Sequence, residues 1–137
     1  MGTFADVDLA GDVSRDALIA LSHAVYAELQ RLDAKYSFHR PDSVLSMINR
    51  SAARGEGVDL DPESVELFAT ALHFSALSKG LFDICVAPHM IRAGALPGHI
   101  DTPVNLGRWT DLHLTKGRIE FAQPTLFDLG GIAKGYA

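Results

Sequence analysis

Between Ser14 and Lys35 the apolar residues fall at Leu18, Leu21, Val25, Leu29 and Leu32. Gaps of three and four place them on one stripe of a helix. Ser14 is its N-cap, with Asp16 in the first turn. The weak alternation from Thr3 to Ala10 predicts a strand, closed by a Gly11-Asp12 turn. A loop over Tyr36 to Pro41 leads to a short helix through Asn49, capped by Asp42 or Ser43, with Leu45 and Ile48 inward. After the turn Arg54-Gly55-Glu56-Gly57, Asp61-Pro62-Glu63 combines an N-cap carboxylate, a proline suited to the first position and a further acid. Val65, Phe68, Ala69, Leu72 and Ala76 form the buried stripe predicted for that helix, and Lys79-Gly80 ends it.

Farther on, Ile84 and Val86 predict a brief strand, His89 to Leu96 a short helix, and Pro97 to Pro103 a loop. Asp111 to Thr115 and Arg118 to Ala122 flank Lys116-Gly117 as a hairpin. Leu126 and Phe127 then predict a strand running into a glycine pair, with a helix opening near Ile132. Helices interleaved with a hairpin read as an α+β layer, helices on one face of a mainly antiparallel sheet.

Composition narrows the class. At 137 residues, 47% hydrophobic and 21% charged, the chain can bury one real core and is not wholesale disordered. A formal charge of −5 without a lysine or arginine cluster argues against non-specific nucleic-acid binding. One cysteine excludes an intrachain disulfide and a cysteine-built zinc site. No apolar run reaches membrane-span length, so no transmembrane segment is expected.

Candidate chemistry concentrates at Asp128-Leu129-Gly130-Gly131-Ile132-Ala133-Lys134-Gly135-Tyr136-Ala137. Paired glycines admit close backbone approach, and N–H groups opening a helix suit an anion such as a pyrophosphate. The spacing is neither that of a P-loop nor the Rossmann fingerprint. The plainer alternative is a glycine turn between strand and helix, with Asp128 as a cap and Lys134 in solvent.

That decapeptide resembles a signature of the ApbE family, the FAD:protein FMN transferases. Three more segments are similar to family motifs in the same order: Met1-Gly2-Thr3, the run His39-Arg40-Pro41-Asp42-Ser43 through Asn49, and Gly80-Leu81-Phe82-Asp83-Ile84-Cys85 through Pro88. The resemblance implies half of an ApbE-like (T-fold-like) architecture. It implies FAD contacts at Met1, His39, Leu81, Phe82, Asp83, Asp128 and Lys134, and a magnesium ligand at Gly131, whose backbone carbonyl is all it can offer. His39 stands where the family favours tyrosine, and Tyr36 three residues earlier is the alternative contact. Cys85 replaces a threonine and reads as a small inert core residue. Trp109 reads as core or a loop anchor. No residue is assigned as the base.

The implied reaction is magnesium-dependent transfer of FMN from FAD to a threonine hydroxyl of an acceptor protein, releasing AMP. The family continues for about as long again, so residues 1–137 are expected to be one domain, the amino-terminal half, whether by truncation, gene splitting or paralogue shortening. A separate carboxyl-half polypeptide or self-association would then complete it. The alternatives are a non-catalytic flavin-nucleotide binding or carrier module, or a structural half-domain. The absence of a leader before Met1 suggests a cytoplasmic member, the alternative being a periplasmic or membrane-anchored lipoprotein whose leader has been removed.

Overall fold

A computed structural model describes residues 4–101 and 107–136. Helix α1 (Arg15–Tyr36) opens where Ser14 Oγ accepts the Ala17 N–H at 3.2 Å. Of its predicted stripe only Leu32 is buried, whereas Leu21 and Val25 are exposed; the other buried residue is Tyr36, which the helix takes in from the predicted loop. The helix is held to the body by its last turns. Residues 4–10 form no strand, a correction to the alternation-based expectation, and Thr3 lies outside the described residues. Seven weakly alternating residues do not pair unless a sheet edge is within reach, and the sheet forms elsewhere.

Helix α2 (Val44–Ala52) is capped by Ser43 rather than Asp42 and buries Leu45 and Ile48 as predicted, together with Ser46, Asn49 and Ala52. Helix α3 (Pro62–Leu77) starts at the expected Asp61 cap, whose Oδ1 accepts the Ser64 N–H at 3.1 Å. Its buried face is Ser64, Leu67, Phe68, Ala71 and Ser75, so the predicted stripe is displaced by one residue, about 100° of rotation. The cause is two serines with internal partners. Ser64 Oγ donates to Asp61 Oδ2 at 2.7 Å and lies 3.1 Å from the Tyr36 hydroxyl, while Ser75 Oγ donates to the Ala71 carbonyl at 3.0 Å. A buried hydroxyl satisfied in this way costs little, yet hydrophobicity alone assigns it to solvent.

The turn that ends α3 has Lys79 at φ +54° and Gly80 at +82°, and Gly80 N–H donates to the Ser75 carbonyl. Ile84–Val86 is a 3₁₀ turn, not a strand, because the Asp83 carboxylate caps it by accepting the Cys85 N–H at 2.8 Å. Helix α4 (Ala87–Arg92) follows at once, earlier than the predicted His89 start, with Pro88 in its first turn. A second 3₁₀ turn, Trp109–Asp111, leads into the predicted hairpin, β2 (Leu112–Thr115) and β3 (Arg118–Phe121). Lys116 and Gly117 both have positive φ, as a type I′ connection requires.

The two-residue strand Val58–Asp59, here β1, was too short to foresee; it pairs with β3 and gives the antiparallel order β1-β3-β2. Leu126 and Phe127 are fully buried but lie in no sheet, a second correction. Their neighbourhood finds its hydrogen-bond partners on α2 instead: Thr125 N–H donates to the Ala52 carbonyl at 3.1 Å. The final helix α5 (Ala133–Tyr136) opens near the expected place. The core gathers Leu45, Ile48, Phe68, Ile119, Leu126 and Phe127, with the rings of Phe68 and Phe127 edge to face at 5.6 Å. The arrangement is the α+β half-architecture expected. No helix among the described residues is long and apolar enough to cross a membrane.

A charged staple joins α1 to α3. Lys35 Nζ lies 2.7 Å from Asp61 and 2.6 Å from Glu63, and Arg31 bridges Glu28 and Glu63. Burial opposes ionisation of Asp61, but its bonds to Lys35 and Ser64 outweigh that and hold its pKa down at about 2. Arg31, then Lys35, hold Glu63 at about 2 as well. Depressed carboxylates stabilise the fold above their unfolded pKa and lose that contribution as pH falls through the folded value. Thermal melts should therefore show stability declining from about pH 4.5 toward pH 2. Lys35→Met should lower the melting temperature at neutral pH and flatten that acid decline.

Candidate functional site

Four stretches of chain converge on one cleft of about 1270 Å³: the loop after α1, the turn after α3 with the start of α4, the Trp109 turn, and the segment leading into α5. His39, Leu81, Phe82 and Asp83 line it, as do Asp128, Gly131 and Lys134. Every sequence-predicted site residue among those described is thus brought together. Met1 lies outside the described residues.

The wall at Asp128 is fixed from behind. Asn49, fully buried on α2, donates from Nδ2 to the Phe127 carbonyl at 2.9 Å, and its Oδ1 accepts the Phe127 N–H at 2.6 Å. One amide side chain therefore satisfies both polar groups of one residue's backbone, as a neighbouring strand would. Asp128 N–H continues the anchoring by donating to the Ile84 carbonyl at 2.9 Å. Asn49 closes the second motif but carried no assigned role. An amide directly after Ile48, on the inward face that also carries Leu45 and Ser46, is the signal that marks it.

The glycine pair has a local steric purpose. A Cβ on Gly130 would come within 2.9 Å of Asp128 Oδ2, and one on Gly131 within 3.1 Å of the Phe82 ring. The bare backbone at these two positions leaves room for the folded-back carboxylate and the ring. Burial raises the pKa of Asp128, against the lowering effect of the Gly130 backbone hydrogen bond and the nearby Lys134 and His39.

Phe82, packed over Gly131, is half-buried, its N–H held by Ser78 Oγ at 3.0 Å, and Leu81 is 94% exposed. Asp83 spends both carboxylate oxygens on backbone: Oδ1 accepts from Cys85 and Oδ2 from the Trp109 N–H at 3.4 Å. The Cys85 thiol is buried, and burial followed by the charge of Asp83 pushes its pKa up, so it stays protonated and inert as expected. Tyr36 is buried with its hydroxyl against Ser64, whereas the His39 side chain is exposed beside the cleft. Both residues line the cleft, and His39 is the more exposed of the two.

Magnesium prefers about six oxygens in octahedral array. Asp128 and the Gly131 carbonyl offer a small part of such a set, and among the described residues no three His, Cys, Asp or Glu side chains gather around a common point. These residues do not by themselves fit a resident magnesium ion.

A sequence profile of the ApbE family matches residues 1–137. The chain is 26% identical to the FAD:protein FMN transferase of Haemophilus influenzae, over 99% of this chain and 44% of that protein. The crystal structure of the ApbE protein of Thermotoga maritima superposes with a TM-score of 0.76 at 26% identity, covering 93% of this chain and 44% of the other. The apo flavinyl transferase ApbE of Pseudomonas stutzeri gives 0.74 at 27% identity, covering 93% and 43%. The chain thus spans under half the length of these relatives.

Replacing Asn49 by alanine strips a buried N–H and C=O of their partners. Unfolding in urea should show a loss of about 2–4 kcal/mol. A loss under about 0.5 kcal/mol would mean that the Phe127 backbone does not depend on the amide.

Proposed function

The chain belongs to the ApbE family, and on that premise we propose that its cleft holds FAD as the nucleotide-binding part of an FMN transfer to an acceptor protein. The observation carrying this reading is the meeting of residues from separate motifs, His39, Leu81 to Asp83, and Asp128 to Lys134, around one space. Its volume exceeds that of an ordinary small-ligand pocket, about 300–1,000 Å³, and suits an extended dinucleotide.

In the proposed reaction a threonine Oγ of the acceptor forms a bond to the flavin-side phosphorus, and the pyrophosphate P–O bond breaks. AMP leaves with the bridging oxygen, and the hydroxyl proton passes to a base that no residue of this chain is assigned to be. Lys134 suits the pyrophosphate as a movable point charge, and the glycine turn lets backbone approach it. Magnesium would require oxygen donors beyond those present, with the Gly131 carbonyl as this chain's contribution. The alternative, a flavin-nucleotide binding or carrier module, keeps the same contacts without the transfer.

We also infer that further polypeptide, a carboxyl-half partner or a second copy, covers the apolar surfaces of this fold. Leu21 and Val25 on α1 are exposed. A mostly apolar groove of about 740 Å³ runs between α3 and α5 past Phe74, Leu77, Ile132 and Tyr136.

Calorimetric titration with FAD tests the first inference. Asp128→Ala and Lys134→Ala should each weaken binding about tenfold to a hundredfold, the loss of one charge-assisted contact. Unchanged affinity in both folded variants would return the Gly130-Gly131 segment to a structural turn. Incubation with FAD, magnesium and an acceptor peptide should give no flavinylation by this chain alone, and multiple turnovers would overturn that expectation. For the covered surfaces, the melting temperature should rise with the concentration of an added carboxyl-half polypeptide or of the chain itself. A monodisperse monomer indifferent to both would refute it.

A further inference from the structure

Trp109 is the one tryptophan of the chain, and the family motifs assign it nothing. It opens the 3₁₀ turn on the cleft wall and is half-buried there. Its indole rests on bare backbone: Nε1 would lie 3.0 Å from a Cβ on Gly80, a residue already at φ +82°. Gly80 is thus required both by the turn and by the ring above it.

The turn that carries the indole is tied at three points. Trp109 N–H donates to Asp83 Oδ2, Asp111 N–H donates to the Arg108 carbonyl at 2.9 Å, and Arg108 N–H donates to Asp111 Oδ2 at 2.8 Å. The other rings in and near the core pack on one another, as Phe68 and Phe121 do on Phe127, and Phe38 does on His99. Among the described residues no aromatic ring pairs with Trp109, and its indole N–H makes no hydrogen bond to them. A large amphipathic ring, held rigidly by its main chain and bordering a cleft, has the properties of a stacking surface. Lys79 and Arg108 line the same cleft and supply positive charge beside it.

We propose that Trp109 is a ligand-contacting residue that stacks on one planar ring of the bound dinucleotide, with Asp83 as the positioning residue that sets the indole through its backbone N–H. The proposal rests on the nucleotide reading of the cleft. Two rings share this chemistry, the isoalloxazine and the adenine. FMN and AMP present them separately.

The test is equilibrium titration of the full chain and of Trp109→Leu, Trp109→Phe and Asp83→Asn with FAD, FMN and AMP, alongside thermal melts. Trp109→Leu should weaken FAD binding about tenfold or more, the usual scale for losing one base–aromatic stack. It should weaken whichever mononucleotide carries the stacked ring and spare the other, and Trp109→Phe should restore most of the affinity. Asp83→Asn should weaken the same mononucleotide selectively. Saturable change in Trp109 fluorescence on adding the stacked mononucleotide would support the contact further. Unchanged affinity of Trp109→Leu for all three ligands overturns the proposal alone. So does an equal loss for all three with a lowered melting temperature that phenylalanine does not restore. Failure of the unsubstituted chain to bind any of the three overturns this proposal and the nucleotide reading together.

Discussion

The amide of Asn49 is the contact on which the cleft depends. It takes the place of a β-strand, binding the N–H and C=O of Phe127 in a region where no strand runs. Phe127 anchors the core through Phe68 and Phe121, and Asp128 is its immediate successor. The position of a candidate ligand contact is thereby set by a residue that lies behind it. The next link, from Asp128 N–H to the Ile84 carbonyl, ties the wall to the turn that Asp83 caps. The two candidate clusters are in this way one hydrogen-bonded unit.

Elements whose signals are local could be read along the chain. Ser14, Ser43 and Asp61 cap the three main helices because a side-chain oxygen three residues before a free N–H needs nothing from the rest of the fold. The hairpin was legible for the same reason, its turn chemistry being complete within Lys116-Gly117. What escaped depended on distant partners. Ser64 helps turn α3 by one residue, because its satisfaction by Tyr36, 28 positions earlier, is invisible to a hydrophobicity pattern. The segment Leu126-Phe127 reads as a strand because its burial is legible and the partner of Phe127, an asparagine 78 positions earlier, is not. The site followed the same division. His39, Asp128 and Lys134 came from motif resemblance and Trp109 did not, since only the fold brings Gly80 and Asp83 beneath it.

Electrostatics divides the molecule into two regions. On one side the Lys35, Arg31, Asp61 and Glu63 cluster is internally neutralised, each charge facing an opposite one. Among the described residues, the charges lining the cleft are not paired off in this way. Asp128 carries the desolvation cost of burial, offset only in part by its neighbours. Charge kept close but incompletely matched is what a site has to offer a ligand, whereas a closed network serves the fold.

The bond between Asn49 and Phe127 also has a kinetic meaning. It joins residues 78 positions apart, and the cleft it supports draws on both the first third of the chain and its last ten residues. Closing so long a loop is entropically expensive and returns nothing until both ends are docked, so contacts of this kind tend to slow folding. During synthesis helices α1 to α3 emerge well before Phe127 exists to satisfy Asn49. Until then that amide must remain hydrated, and the inner face of α2 cannot close around it. The cleft wall at Asp128 is therefore completed in the same event that completes the core.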